Sequence, residues 1–342
     1  MKNRRQFLKS SILAGMGVTA SALHTSCNQS TERKTQDFKI GIIGLDTSHS
    51  PAFAKYINDP EKESMRGMQV TAAYPYGSKA IESSYKRIPE YTEQFESMGI
   101  EIENDLNALI ERSDGILLET NDGTLHLEQA LKVINAKKPL FIDKPVAAGL
   151  ADVIKIYEAA RKNQVPLFSS SSLRYLKKAQ EVRYENIIGD ITGASTYSPE
   201  HIEPSHTDLY WYGIHGVEIL YTIMGTGCKS LKRITTENTD LVIGKWNGER
   251  LGTFRGDLSG QQHYGGTAFG TKGVLEVGPG EGYGPLIEEI IIFFQSGKSP
   301  VSPEETVELY TFMEAADVSK ERNGEWVELK EVYDKSLEID HS

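Results

Sequence analysis

Short apolar runs alternate with stretches of helical spacing through the first half of the chain. Residues 38–43 (FKIGII) form an uninterrupted apolar run, the pattern of a strand that is covered on both faces. In residues 125–136 the apolar positions recur three or four apart, which predicts an amphipathic helix. The same reasoning predicts strands at 68–73, 115–118, 139–142 and 165–168, and helices at 106–112 and 151–162. Strands that alternate with helices indicate βαβ units on a doubly wound parallel sheet.

The pattern changes after Ser172. Helices are predicted at 181–188 and 208–224, followed by extended segments at 230–237, 241–246, 251–255, 265–269 and 274–277, and by helices at 286–296 and 303–320. Successive strands without helices between them are typical of an open, mostly antiparallel sheet with one covered face. The predicted fold class is therefore α/β: a Rossmann-type domain over 37–168, then an α+β domain over 169–342 for substrate binding and oligomerisation.

Composition and charge exclude some classes of partner. The 342 residues carry a formal net charge of -11 and 39% of them are hydrophobic. Nucleic acids and anionic membranes require clustered Lys and Arg, and the chain has no long basic run, so neither is expected as a partner. Cys27 and Cys228 are the two cysteines, which predicts no disulfide framework and no cysteine metal site.

The first 36 residues are set apart from the predicted fold. Arg4 and Arg5, followed by Phe-Leu-Lys, resemble a twin-arginine export signal, and the apolar stretch 11–23 is too short to span a bilayer. Residues 20–22 (ASA) fit a signal cleavage site, whereas 25–27 (TSC) fit a lipobox, and both routes remain open. We therefore predict a periplasmic protein that uses the twin-arginine export machinery. It would touch the membrane only through a lipid anchor at Cys27.

The turn after the first predicted strand departs from a dinucleotide-binding fingerprint. Where Gly-x-Gly-x-x-Gly is expected, the chain has Gly44, then Asp46 and His49 in place of the second and third glycines. A carboxylate at that point repels a pyrophosphate, whereas Thr47 and Ser48 can cap the helix or donate hydroxyls to a phosphate. A modified nucleotide loop and a loop that only caps a helix both remain open.

The end of the second predicted strand lacks the acid that usually grips the ribose of NAD. Residues 74–79 (YPYGSK) stand there instead. Ser78 and Lys79 favour a 2′-phosphate, and hence NADP, so the choice between NAD and NADP stays open.

Three segments resemble the Gfo/Idh/MocA oxidoreductases, and together the likeness spans about residues 38–335. The run 143–145 (DKP) closes a predicted strand and is similar to the family's Glu-Lys-Pro motif. Residues 119–122 (ETND), with His126, resemble the family's loop beside the cofactor. Residues 212–218 (YGIHGVE) resemble its active-site helix, where Trp211 replaces the usual first Asp.

The resemblance implies an NAD(P)-dependent oxidoreductase, with a tightly held nucleotide, that acts on a hydroxyl of a sugar, glycoside or polyol. Such a reaction needs a base for the hydroxyl proton and a cation near the oxygen. The resemblance implies His215 as the base and Lys144 as the positioning and electrostatic residue. The candidate cofactor contacts are Gly44, Asp46, Thr47, Ser48, His49, Tyr74, Asn121, His126, Asp143 and Lys144. The candidate substrate contacts are Arg174, Tyr175, Trp211, Tyr212 and Glu218. Arg174 and Tyr175 are expected where the two domains meet and suit a structural role equally, and the rings of Trp211 and Tyr212 suit stacking on a sugar or packing.

Other interpretations remain open beside this one. Asp46, His49, His126 and His215 suit Zn or Mn as ligands, but no pair has the spacing of a dedicated metal motif, so no metal site is predicted. The altered loop also suits a cofactor-free enzyme that catalyses an elimination or epimerisation, or a catalytically silent sugar-binding protein. The expected partner is a small carbohydrate, and the open sheet suits a homo-oligomer.

Overall fold

The computed structural model describes residues 37–65, 67–260 and 263–338. The predicted export segment, with Cys27, lies outside these residues. The strands are β1 (Phe38–Ile43), β2 (Met68–Tyr74), β3 (Glu101–Ile102), β4 (Gly115–Leu118), β5 (Leu140–Ile142), β6 (Leu167–Ser169), β7 (Ile191–Pro199), β8 (Cys228–Thr235), β9 (Thr239–Trp246), β10 (Arg250–Asp257), β11 (Gly265–Gly270), β12 (Gly273–Val277) and β13 (Val327–Glu328).

The α-helices of the described residues are α1 (His49–Ile57), α2 (Glu82–Tyr85), α3 (Ile88–Ser97), α4 (Leu106–Arg112), α5 (His126–Asn135), α6 (Leu150–Asn163), α7 (Lys177–Glu185), α8 (Asp208–Trp211), α9 (Ile214–Met224), α10 (Gly284–Ser296), α11 (Pro303–Glu321) and α12 (Leu329–Glu338). In this part of the chain no helix combines the length and the apolar character that crossing a membrane requires.

The first six strands form a parallel sheet in the order β3-β2-β1-β4-β5-β6. The order reverses beside β1, so a crevice opens at the carboxyl ends of β1 and β4, where doubly wound sheets bind their ligands. Both of these strands are apolar, and β4 is buried along its whole length. The Rossmann-type sheet predicted from the apolar runs is confirmed.

The remaining strands form a seven-stranded sheet in the order β12-β11-β7-β10-β9-β8-β13. Its neighbours run antiparallel except β7 and β10, which are parallel. Buried and exposed positions alternate along β9 and β10, as expected for a sheet with one covered face. This confirms the predicted open, mostly antiparallel sheet; the boundary at residue 168 stays a prediction.

Helix α10 returns from the second half of the chain to cover the first sheet. Its residues Ile290 and Phe293 are fully buried in one cluster with Ile40 and Phe53. Phe294 stacks on Phe38 of β1, with the ring centres 5.4 Å apart. One face of the parallel sheet is therefore closed by sequence more than 100 residues downstream.

The structure corrects the sequence prediction in three places. Strand β7, at the centre of the second sheet, was not predicted because its residues are mostly small and polar (ITGASTYSP). The single helix predicted over 208–224 is two, α8 and α9, with the break at residues 212–213. The helices α2, α3 and α12 were also missed. The two-residue strands β3 and β13 were missed because such short elements give little periodicity.

Candidate active site

The turn between β1 and α1 is built around a buried carboxylate. Asp46 is fully buried, and its carboxylate accepts backbone N–H groups from Ser78 (2.9 Å) and Asn121 (3.0 Å). These donors belong to the loops after β2 and β4, the strands that flank β1. Burial raises the pKa of Asp46, and the two backbone hydrogen bonds oppose that shift. Asp46 thus ties three adjacent loops together.

Gly44 is required by the close approach of two backbones at this turn. Its φ is +93°, and a Cβ there would lie 2.5 Å from the backbone nitrogen of Thr120. Its own N–H donates to the carbonyl of Tyr74 (2.9 Å). The retained first glycine therefore has a packing reason that does not depend on a ligand.

At the amino terminus of α1, Thr47 Oγ1 accepts the backbone N–H of His49 at 3.4 Å. Ser48 occupies the N-cap position, is exposed and makes no side-chain cap hydrogen bond. In the next position, His49 Nδ1 lies 2.6 Å from Asp143 Oδ2, and its ring meets Tyr283 edge-on with centres 4.7 Å apart. His49 and Asp143 are thus direct partners across the carboxyl end of β4, which lies between β1 and β5.

Other predicted cofactor contacts serve the scaffold. His126 is fully buried, with Nε2 at 2.6 Å from the carbonyl oxygen of Thr120 and Nδ1 at 3.2 Å from that of Val146. Burial lowers the pKa of His126. His126 therefore joins the loops after β4 and β5, and its ring nitrogens face backbone rather than the crevice.

Two more of the predicted cofactor contacts are held by neighbouring side chains. The ring of Tyr74 packs against Tyr76 with centres 5.0 Å apart. The side chain of Asn121 donates to Ser84 Oγ at 2.7 Å, which fixes the loop after β4.

Lys144 and His215 meet around the ring of Tyr212. Lys144 Nζ lies 5.8 Å from the centre of that ring, and the His215 ring lies 5.9 Å from it. His215 Nδ1 is 2.7 Å from Ser171 Oγ, which fixes one ring nitrogen and leaves Nε2 without a hydrogen bond in the described part of the chain. Burial, and then the positive charge of Lys144, hold the pKa of His215 well below its usual range. The imidazole is therefore neutral and keeps a lone pair, while burial and the neighbouring ammonium group disfavour its protonated form.

Arg174 and Glu218 lie beneath this cleft instead of in it. Arg174 is 3% exposed, donates through Nε to Glu218 and through Nη1 to Glu305 at 2.7 Å. Glu218 also accepts from Ser170 Oγ at 3.1 Å, one residue before the hydroxyl that holds His215. The structure therefore gives the pair a supporting position, not the substrate contact expected from the sequence, because each charge is already paired in the interior.

Tyr175 and Trp211 occupy different settings. Tyr175 is buried in the same core as α10, and burial raises its pKa far above the usual range, so it is a packing residue. Trp211 is half-buried beside His206, with ring centres 5.0 Å apart. His206 Nε2 in turn accepts the N–H of Gly123 at 2.9 Å. Trp211 thus borders the loop after β4 and lies next to Tyr212 in the chain.

Four residues of the cleft were not identified from the sequence. They are Glu119, Ser171, Tyr264 and Tyr283. Tyr264 lies edge-on to His215 with ring centres 5.6 Å apart. Glu119 is fully buried at the end of β4, and burial and Asp143 raise its pKa well above the usual range. Glu119 had a signal in the sequence, since it opens the segment 119–122 directly after an apolar strand. The other three come from loops whose placement depends on the fold.

Comparison with known proteins first concerns the amino-terminal sheet. Residues 38–171, less than half of the chain, match the family model described as the GFO_IDH_MocA oxidoreductase family, NAD-binding Rossmann fold. The inositol 2-dehydrogenase of Salmonella typhimurium is 28% identical over 152 residues, 41% of this chain and 44% of that enzyme. A protein of the same name from Salmonella agona gives the same values. The alignment thus spans less than half the length of these curated relatives.

Solved structures resemble the chain over most of its length. A probable dehydrogenase from Thermotoga maritima has a TM-score of 0.69 and 21% identity, covering 86% of this chain and 100% of that one. A myo-inositol dehydrogenase from Lactobacillus casei, solved with NAD(H) and myo-inositol, has a TM-score of 0.67 and 15% identity, covering 85% of this chain and 96% of that one. At such identities the likeness establishes the two-sheet fold.

Proposed function

We propose that this chain, whose first sheet matches the Gfo/Idh/MocA family model, is an NAD(P)-dependent oxidoreductase acting on a hydroxyl of a sugar, glycoside or polyol. The family match and the inositol 2-dehydrogenase relatives support the proposal. The observation that carries it is the meeting of Lys144 and His215 around Tyr212, beyond the carboxyl end of β5. These are the two residues that the family resemblance implies for the chemistry.

The described residues fit a dinucleotide in a modified way. The first turn of α1 lacks a side-chain cap at Ser48, so the positive end of the helix remains for a phosphate. Of its backbone N–H groups, that of His49 already donates to Thr47 Oγ1 at 3.4 Å, and Pro51 has none. The charge of Asp46 is held by two backbone N–H groups. A bound dinucleotide would be held by this turn and by the loop of residues 74–79, and it would supply the hydride acceptor or donor.

The chain's own groups account for the proton. His215, neutral and with Nε2 available, takes the hydroxyl proton of a carbinol substrate. The ammonium group of Lys144 stabilises the negative charge that develops on the substrate oxygen. Ser171, whose Oγ bonds His215 Nδ1, orients the ring, and the Arg174–Glu218 pair supports the segment from Ser170 to Ser171.

The test begins with protein purified from an export-competent host. The protein is denatured, and the supernatant is assayed for NAD(H) and NADP(H) by mass spectrometry. We expect near-stoichiometric nucleotide, which also decides between NAD and NADP. Turnover is then followed by nicotinamide absorbance with inositols and common sugars, where Lys144→Ala and His215→Ala each lower kcat by about 100-fold or more.

Lys86→Ala is the matched control, since Lys86 is exposed and pairs with Glu82 on α2. Its turnover should equal that of the unmodified protein. Wild-type turnover in both Lys144→Ala and His215→Ala would refute the assigned roles. Absence of nucleotide, together with no calorimetric binding of added NAD or NADP, would refute the redox function.

One observation favours a second candidate function. The buried carboxylate of Asp46 takes the place of the second fingerprint glycine and already accepts two backbone N–H groups. A cofactor-free enzyme that moves a proton between Lys144, His215 and a sugar, in an elimination or epimerisation, needs no open pyrophosphate cradle. Solvent deuterium incorporation into the sugar without bound nucleotide would identify it.

The proposal includes export by the twin-arginine route and a periplasmic location, with signal cleavage and lipidation at Cys27 as the two processing routes. The support is the sequence of residues 4–9 (RRQFLK). We expect replacement of Arg4 and Arg5 by Lys to retain the protein in the cytoplasm. Intact mass measurement of the mature protein distinguishes cleavage near residue 22 from a lipid-modified Cys27, and its native mass gives the oligomeric state.

A further inference from the structure

Three side chains converge at the carboxyl edge of the first sheet: His49, Glu119 and Asp143. One nitrogen of His49 and one oxygen of each carboxylate all lie within 4.8 Å of one another. The topology brings them together, because α1 follows β1, Glu119 follows β4 and Asp143 follows β5, and these strands are adjacent in the sheet. Imidazole and carboxylate are ligands for divalent metal ions.

Glu119 supplies an independent sign that a ligand belongs here. Its side chain is fully buried, and neither carboxylate oxygen has a hydrogen-bond partner. Burying a carboxylate without a partner is costly, so such groups in proteins are normally paired, hydrogen-bonded or bound to a metal. Asp122, three residues on, shows the usual outcome, since it accepts from Ser78 Oγ at 2.7 Å and from Thr124 Oγ1 at 2.6 Å.

Among the described side chains, no cation pairs directly with Glu119. Lys144 is the nearby positive charge, but its Nζ lies against the ring of Tyr212 and forms no ion pair within 4.0 Å in the described residues. Asp143 is already paired with His49, because its Oδ2 lies 2.6 Å from His49 Nδ1. A divalent ion between the three groups would neutralise both carboxylates.

The spacing is compatible with coordination after a small adjustment. Ligand atoms at about 2.1 Å from a metal lie about 3 Å apart when they subtend a right angle. The His49–Asp143 pair therefore has to open by a few tenths of an ångström.

We propose that His49 Nδ1, Glu119 and Asp143 form a binding site for one divalent ion, with Mn²⁺ or Zn²⁺ as the matching chemistry. Three protein ligands leave further coordination positions for water or for an oxygen of a small molecule. The site faces the cleft that holds Lys144 and His215. It goes beyond the proposed oxidoreductase function and does not depend on it.

The experiment uses the full chain from an export-competent host, stripped with a chelator and then titrated with MnCl₂ or ZnCl₂. Calorimetry and Mn²⁺ electron paramagnetic resonance should show one ion per chain. Glu119→Gln keeps the shape of the side chain and removes its charge, so we expect the Kd to weaken by about 100-fold or more. His49→Gln should have the same effect. Comparison of the two salts identifies the preferred ion.

Glu200→Gln is the matched control, because Glu200 is equally buried but lies after β7 in the second sheet. It should bind the ion as the unmodified protein does. The metal-free Tm and the near-ultraviolet circular dichroism of Glu119→Gln establish that the variant is folded. Without metal its Tm should equal or exceed that of the unmodified protein, and the increase in Tm on adding metal should be lost.

Two results would overturn the proposal. One is the absence of stoichiometric binding of either ion to the stripped protein. The other is unchanged affinity in folded Glu119→Gln and His49→Gln. Nucleotide content is measured on the same samples, so loss of the metal site and loss of the redox function are read separately.

Discussion

Arg233 shows how a single buried charge organises several carboxylates. Its guanidinium is fully buried and contacts Glu200 at 2.9 Å, Asp208 at 3.0 Å, Asp317 at 2.5 Å and also Asp240. Four acids share this single cation. Burial, with the charges of the neighbouring acids, raises the pKa of Glu200 to about 9 and that of Asp317 to about 7. Glu200 is therefore protonated at neutral pH in the folded protein.

This raised pKa predicts a pH-dependent stability. A carboxyl group that holds its proton more tightly when folded stabilises the protein most at low pH. The stabilisation is lost as pH rises from about 4.5, its unfolded value, towards 9. Glu200→Gln removes that dependence, so its Tm relative to the unmodified protein should rise between pH 6 and 8.5. The free-energy difference grows by up to about 1.4 kcal/mol per pH unit.

The measurement is the Tm of Glu200→Gln and of the unmodified protein across this pH range. Glu185→Gln, at an exposed position of α7, should follow the unmodified protein at every pH. A constant offset between Glu200→Gln and the unmodified protein would show that Glu200 does not titrate in this window.

At the residue scale, the sequence predicted what a local motif carries. Lys144 and His215 lie in such motifs, and the structure brings both to the cleft. Their roles stay predictions. Arg174 was assigned to substrate because its segment is expected where the two domains meet, and Glu218 because it falls in the segment that resembles the family's active-site helix. In the structure each has its partner in the interior. Those partners, like the absence of a hydrogen-bond partner for Glu119 among the described residues, depend on residues far away in the chain.

Helix α9 and the second sheet meet through a glycine. A Cβ on Gly216 would lie 2.5 Å from Cε2 of Phe254 and 3.1 Å from Oγ of Ser198. Phe254 is fully buried and has little room to move. The same helix presents His215, so the position of the proposed base depends on this contact.

Gly216→Ala should destabilise the protein. Alanine improves helix propensity by about 1 kcal/mol, but overpacking a dense core costs about 1–3 kcal/mol, and displacing a fully buried ring belongs at the upper end. Chemical denaturation measures the difference. Gly149→Ala is the matched control, since no heavy atom lies within 4 Å of its added Cβ, and it should cost less than about 1 kcal/mol. Equal effects at the two positions would contradict the packing argument.

At the element scale, the strands predicted from the sequence were those with a clear hydrophobic pattern. Strands β1 and β4 were identified because parallel strands covered on both faces are continuously apolar. Strand β7 escaped because its buried positions include Thr196 and Ser198. The Thr196 hydroxyl donates to the carbonyl of Gly216 at 2.9 Å, so a polar side chain is satisfied inside the core. A strand with buried polar residues gives no hydrophobic pattern in the sequence.

At the scale of the whole molecule, α10 covers the first sheet although it follows strands β7–β12 of the second sheet in the chain. Ile290 is fully buried between α10 and the first sheet, whereas Ile292 on the same helix is 49% exposed. Ile290→Ala should cost about 2–5 kcal/mol and lower the Tm of a single calorimetric transition. Ile292→Ala should leave it nearly unchanged. If Ile290→Ala split the transition in two, the sheets would be unfolding independently.

The late position of α10 in the chain also affects the first sheet during synthesis. When β6 leaves the ribosome, all six strands of the first sheet exist, yet the helix that covers one of its faces is still untranslated. At about 5–20 residues per second, the stretch up to Phe294 takes on the order of 10 s to appear. During that interval the nascent chain carries an uncovered apolar surface, which makes it a client for chaperones. The first sheet is covered on this face only after Phe294 has emerged.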